Sequence, residues 1–217
     1  MNADLPDPLF LIVSLGLLAM VPFIAVMATS FVKIAVVLAL VRNAMGIQQI
    51  PPNIALHGIA QVLTLYIMAP VGYDAYEVFA KVDFQNMSVQ QFGEVLNEAS
   101  ASFRTFLAKH AAESEKEFFV ETAKRIWPAE IARGVTKDDL RVLIPAFTVS
   151  ELTSAFEVGF LLYLPFIAID LIISNILLAM GMMMVSPMTI SLPFKLLLFV
   201  LLDGWTKLLH GLVLTYQ

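Results

Sequence analysis

Apolar and polar positions alternate along this chain in long blocks, not in short periods. From Pro8 to Val32 no residue is charged, which as helix would extend about 37 Å and exceed a hydrocarbon core of about 30 Å. The pattern predicts that this helix runs on to Val41, with a kink at Pro22. Gly46 and Pro51-Pro52 then mark a turn, and a second apolar segment spans Ile54 to Tyr73, interrupted by His57 and Pro70. Residues 1–73 thus read as an apolar helical hairpin with Lys33 and Arg42 at its turn end. Polar and charged positions take over from 74 to 141. There, Ser88 with Gln91 forms a capping-box pattern, followed by Val89, Phe92, Leu96, Ala99, Phe103 and Phe106 on one helical stripe. Ser114 with Glu117 repeats the signal before a stretch closed by Pro128, and Thr136 with Asp139 predicts a short helix ending near Pro145. Residues 142–217 return to the hairpin plan: Phe156 to Met180 is apolar, a break falls at Gly181–Pro187, and Ile190 to Tyr216 closes the chain. No segment alternates with period two. The expected fold class is all-α, with two long apolar hairpins flanking a soluble helical insert, in a polytopic membrane-type protein.

Composition narrows the class. The 217 residues are 59% apolar and 14% charged, against roughly 25% charged in ordinary soluble domains; mean hydropathy is +0.82. A conventional soluble enzyme is effectively excluded. With no cysteine, so are disulfide scaffolds and Cys-based metal sites. The net charge of −5 offers no footprint for nucleic acid. Of the 31 Asp, Glu, Lys and Arg residues, 21 lie between 74 and 141, 12 acidic and 9 basic. By the positive-inside rule, Lys33, Arg42 and Lys195 place both hairpin turns inside and the acid-rich insert outside, in the periplasm of a Gram-negative cell. The first seven residues contain Asp4 and Asp7 but no Lys or Arg, so a cleaved signal peptide is not expected.

Seven ionisable residues interrupt the apolar runs: Lys33, Glu151, Glu157, Asp170, Lys195, Asp203 and Lys207. Each costs about 2.5–3.5 kcal/mol at a bilayer centre on insertion scales. The plainest expectation is ion pairs between helices or between subunits that fix register. An ion or proton path and helix-end snorkelling are the competing readings. Asp203 and Lys207, at i and i+4, are spaced to pair within one helix, whereas Glu157 and Asp170 diverge around theirs.

Methionine is the second anomaly. Five of the eleven fall between Met180 and Met188, with Met182, Met183 and Met184 consecutive between Gly181 and Pro187. Three in a row point in several directions, which suits a loop better than a helix stripe. Adaptable side chains could close a ring and deform around passengers; a turn packed into a hydrophobic core is the simpler alternative. Enzymatic signatures are missing: His57, His110 and His210 are dispersed, and no phosphate-binding or nucleophile-elbow motif occurs. No metal or cofactor is expected. Asn86-Met87-Ser88 matches a short glycosylation sequon, and Ala155 with Gly159 has the spacing that permits close helix approach.

These residues resemble a known family. The run Pro22-Phe23-Ile24-Ala25-Val26-Met27-Ala28-Thr29-Ser30-Phe31-Val32-Lys33-Ile34 is similar to the first signature of the export-apparatus family called FliP in flagella and SctR in injectisomes. The Arg42–Asn53 turn is similar to the segment that follows it. From Leu143 to Lys207 the match is almost continuous, through IPAFTVSEL, AFEVGF, LPFIAID, AMGMMMVSP, LPFKLLLF and DGW. The MMMVSP form resembles the injectisome branch, as does the expectation that no signal peptide is cleaved. The resemblance implies a pentamer that joins SctS and SctT in a helical pore complex of a virulence-associated type III secretion system in the bacterial inner membrane. Further implied neighbours are SctU, SctV, needle or inner-rod subunits, membrane lipid and the unfolded substrates that enter through this portal. It also implies that Met182, Met183 and Met184 form a hydrophobic gasket, with Gly181 and Pro187 as hinges, and that the embedded charges lie between neighbouring subunits. The alternative from another class is an ion- or proton-coupled small-solute transporter using Glu157 and Asp170.

Overall fold

The computed structural model describes residues 8–47, 49–82 and 88–217. Asn86 and Met87 of the sequon, Asp4, Asp7 and Gln48 lie outside the described residues. Ten helices and no strand occur among the described residues: α1 (Pro8–Met27), α2 (Phe31–Ala44), α3 (Asn53–Phe79), α4 (Val89–Ala99), α5 (Ala101–His110), α6 (Glu113–Ile126), α7 (Ala129–Ala132), α8 (Leu140–Ala179), α9 (Pro187–Leu201) and α10 (Gly204–Leu214). By length and composition α3 and α8 can each cross a membrane, as can the broken pairs α1 with α2 and α9 with α10.

Two compact units result, and they are cut differently from the three sequence segments. One holds residues 1–31 and 65–151, the other 32–64 and 152–217. In the first, Ala28, Leu107, Ala111, Leu143, Ala146 and Phe147 form a buried cluster, so the end of α1 packs with the charged insert. The capping box of α4 forms as expected, with Gln91 N–H donating to Ser88 Oγ and Ser88 N–H to Gln91 Oε1. The second box does not. α6 starts at Glu113, and Glu117 instead accepts from Lys137 Nζ at 2.7 Å. Lys137 also pairs with Glu113, which Lys116 reaches from its other side.

The short helix expected to end near Pro145 is instead the first part of the 40-residue α8. Asp139, not Thr136, caps it: Oδ1 accepts from Arg141 N–H at 2.9 Å, and the carbonyl accepts from Val142 and Leu143. Pro145 withholds one N–H, but burial of Val142, Leu143, Ala146 and Phe147 keeps the backbone helical on either side of it. The first apolar run is also not one helix. It breaks at Ala28–Ser30, where Thr29 Oγ1 donates to Ala25 O and accepts from Phe31 N–H, a local alternative to the helix ladder.

In the second unit α2 is the centre. Ile34, Val37, Leu38, Val41 and Ala44 are fully or almost fully buried, a broad apolar face at helical spacing. Arg42 Nη1 donates to Asn53 Oδ1 at 2.5 Å and Pro51 O at 3.3 Å, tying the end of α2 to the start of α3. Gly159 of α8 lies against α2 so closely that an added Cβ would sit 2.3 Å from Leu40 Cδ1. The final segment, expected as one apolar run from Ile190, breaks between α9 and α10 with a bend of 61°. Asp203 takes φ +52° there, and the Phe199 ring occupies the space that a Gly204 side chain would need.

Candidate gate loop and embedded charges

The methionine segment begins where α8 stops. Gly181 adopts φ +72°, its N–H donates to Leu178 O at 3.0 Å, and Met182 N–H donates to Leu177 O at 2.9 Å. This is the Schellman pattern, in which the left-handed position belongs to a residue without Cβ. Val185 N–H then reaches Met182 O at 3.3 Å, and Pro187 occupies the first turn of α9, where a missing N–H costs nothing. Two helix-end devices therefore hold a short loop, and the side chains between them face outward. Met182 is 43%, Met183 82% and Met184 99% exposed. Fully burying one Met stabilises by about 1.5–3 kcal/mol, a gain the isolated chain forgoes almost wholly at Met183 and Met184 and in part at Met182.

An ionic cluster around a buried lysine joins α2, α8 and α9. Lys195 of α9 is 3% exposed; its Nζ donates to Asp170 Oδ2 of α8 at 2.6 Å and to Ala44 O at the end of α2 at 3.1 Å. Asp170, a third exposed, accepts a second bond from Ser191 Oγ at 2.6 Å. The ammonium thus meets a carboxylate and the negative end of α2 together, an arrangement that offsets its desolvation. Ser191 and the Ala44 carbonyl were not among the expected participants. A polar residue one turn before an embedded lysine was the signal for Ser191; nothing local marks a carbonyl that packing brings in.

The other embedded charges differ in their surroundings. Lys33 is buried, with Nζ 4.6 Å from the Tyr216 ring centroid, a cation–π distance. Glu151 is buried. Glu157, Asp203 and Lys207 are exposed. The Asp203–Lys207 pair expected from the i,i+4 spacing does not form among the described residues. Asp203 sits at the helix break, and its contact with Lys207 is backbone to backbone, Lys207 N–H donating to Asp203 O at 3.1 Å. Ala155 and Gly159 are both buried, Gly159 against Leu40 of α2. Among the described residues no group of His, Asp and Glu is arranged to hold a metal.

The FliP family profile matches residues 14–212 of this sequence. The chain belongs to the FliP family. Among its relatives, Yop proteins translocation protein R of Yersinia pestis is 58% identical over 213 residues, 98% of both chains. Virulence protein YscR of Salmonella typhimurium is 54% identical over 215 residues, 99% of this chain and 100% of the other. Hypersensitivity response secretion protein HrcR of Ralstonia nicotianae is 49% identical over 209 residues, 95% and 96% of the two chains. These similarities place this FliP-family chain on the injectisome, or SctR, branch. It is a structural component of a type III secretion export apparatus, not an enzyme, and assembles with other secretion components. Family and apolar helices together make it an integral inner-membrane protein.

Proposed function

We propose that this chain is a core subunit of the export gate, a pentamer that joins SctS and SctT, beside SctU and SctV, around a channel for unfolded proteins. The loop Met182–Met184 is the gasket that closes it, and Gly181 and Pro187 are its hinges. The observation that carries this reading is the outward display of three consecutive methionines by a Schellman end and an N-terminal proline. Apolar side chains that gain nothing in one chain gain a great deal when several copies converge. Being unbranched, methionine packs against itself and yields to passengers of different shape.

In this reading residues 1–73 and 142–217 are membrane-associated hairpins in a multi-pass arrangement, and 74–141 is a periplasmic insert that can meet needle or inner-rod subunits. The embedded charges Lys33, Glu151, Glu157, Asp170, Lys195, Asp203 and Lys207 fix helices and subunits in register. No observation favours the ion-coupled transporter, since Asp170 is already engaged by Lys195 and Ser191.

Replacing Met182, Met183 and Met184 together with Ala tests the gate. Expected is normal assembly of the complex with leakage of small molecules across the inner membrane. Normal assembly with a membrane as tight as the parent's would remove the gasket from the account and leave a scaffold.

A further inference from the structure

Three of the embedded charges, Glu157, Asp203 and Lys207, form no ion pair among the described residues and are exposed. Asp203 has local compensation: it immediately precedes α10, where the helix dipole favours a carboxylate. Glu157 and Lys207 have none. One is an anion beside the exposed Phe160 and Leu161, the other a cation bordering an apolar cavity, and their positions around the fold differ in a way that decides what can satisfy them.

Successive residues of a helix are rotated by about 100°. On that basis Ala155, Gly159, Leu162 and Phe166 of α8 fall within an arc of about 60°. This is the packed face, where Ala155, Gly159 and Phe166 are buried. Glu157 lies about 170° away from the middle of that arc, at the centre of the opposite face. Beside it on this face Phe160, Leu161 and Leu164 are exposed, as is Leu171 farther along the helix. Lys207 belongs to the other side. It borders an apolar cavity of about 230 Å³ with Leu162, Pro165 and Phe166 of α8 and Phe199 of α9. Within one chain the body of α8 therefore separates the two charges.

We infer that Glu157 on the exposed face of α8 pairs with Lys207 of a second copy of this chain. This inference rests on the assembly proposed above. The pairing is heterologous: each copy offers Glu157 to one neighbour and Lys207 to the other, so contacts propagate around a ring or a helix instead of closing as a two-fold dimer. The apolar residues around Glu157 supply area, and the charge pair sets register and rejects slipped arrangements. A lone carboxylate on an apolar face is a liability for a single chain; opposite an ammonium it becomes a selector.

Charge reversal tests the pairing in the full chain, expressed alone and together with the partner subunits, with native mass measured after detergent extraction. Glu157→Lys and Lys207→Glu each place like charges in the contact and should lower recovery of the homo-oligomer by about tenfold or more. The combined E157K/K207E chain restores opposite signs and should return to within about twofold of the parent. Single variants that oligomerise like the parent overturn the inference, as does a double variant no better than the singles. Singles that lose only the other subunits also overturn it, because the partner is then not a second copy. If a reversal variant loses its helical circular-dichroism signal, the milder Glu157→Gln and Lys207→Met are read instead. A double no worse than either single supports the contact, and additive losses refute it. A parent chain that stays monomeric even with its partner subunits would refute the assembly reading itself, a result distinct from failure of the charge swap.

Discussion

Replacing Asp170 with Asn leaves Lys195 with its ammonium 3% exposed and only the Ala44 carbonyl, at 3.1 Å, as a partner with negative character. Removing one member of a buried ion pair costs about 3–5 kcal/mol, most of it from the stranded charge. Lys195→Met is the milder change. Asp170 keeps its bond from Ser191 and is a third exposed, so solvent recovers part of the loss and about 1.5–3 kcal/mol remains. Removing both charges, as in Asp170→Leu with Lys195→Met, strands neither. Ser191 Oγ still donates to Met188 O at 3.2 Å, and the double variant should lie within about 1.5 kcal/mol of the parent. The order to test is therefore Asp170→Asn worst, Lys195→Met intermediate, double variant best. Thermal unfolding of the detergent-purified chain, followed by helical circular dichroism, measures it; Asp170→Asn should lower the midpoint by on the order of 10 °C. A Lys195→Met variant less stable than Asp170→Asn, or a double variant no better than the worse single, would refute a stabilising buried pair.

Gly159→Val drives a branched side chain into Leu40, whose Cδ1 would be 2.3 Å from the new Cβ. It should cost about 1–3 kcal/mol, and adding Leu40→Ala should recover part of the loss in the same melt. Gly181→Ala forces a Cβ into φ +72° and should cost about 1–2 kcal/mol, with Gly181→Asn milder; equal midpoints for the two variants would contradict the left-handed cap. In the insert, Lys116 and Lys137 hold Glu113 at a pKa of about 2, below its usual 4.5, and Glu113 and Glu117 raise Lys137 from 10.5 to about 12. The Glu113 contribution is therefore present above pH 4.5 and lost as pH falls toward 2. That of Lys137 is present below pH 10.5 and lost as pH rises through 12. Both groups are exposed, so the effect should be small and weakened by salt. Lys137→Met should flatten both limbs of the pH–stability curve, and an unchanged curve would count against the network.

Much of this protein is written locally. A 25-residue run without charge favours helix in an apolar surrounding, because its backbone groups must satisfy one another, and here helix fills all of it but the break at Ala28–Ser30. Ser88 with Gln91 announces α4 because the cap is a matter of three residues. Gly181 and Pro187 frame the methionine loop because left-handed φ and a missing N–H are properties of single residues. The family signatures are local too, as contiguous runs. Sequence misled where burial competed with a local signal. Pro145 reads as a stop, but the buried Phe147 and its neighbours carry α8 past it. Ser114 and Glu117 read as a cap, but Lys137 takes the glutamate.

The charges show the division most clearly. Sequence located seven ionisable residues in apolar runs and made partners across helices or subunits the plainest expectation, since desolvation depends on where each residue sits in its run. Only the tertiary structure decided which ones find a partner in their own chain. Asp170 and Lys195 lie 25 positions apart and meet because α8 and α9 fold back upon each other at the methionine loop. Asp203 and Lys207, four apart, fail to pair because Asp203 takes φ +52° at the break and stands outside the α10 spiral in which i and i+4 side chains face each other. Pairing is a property of distance in space, and packing sets that distance.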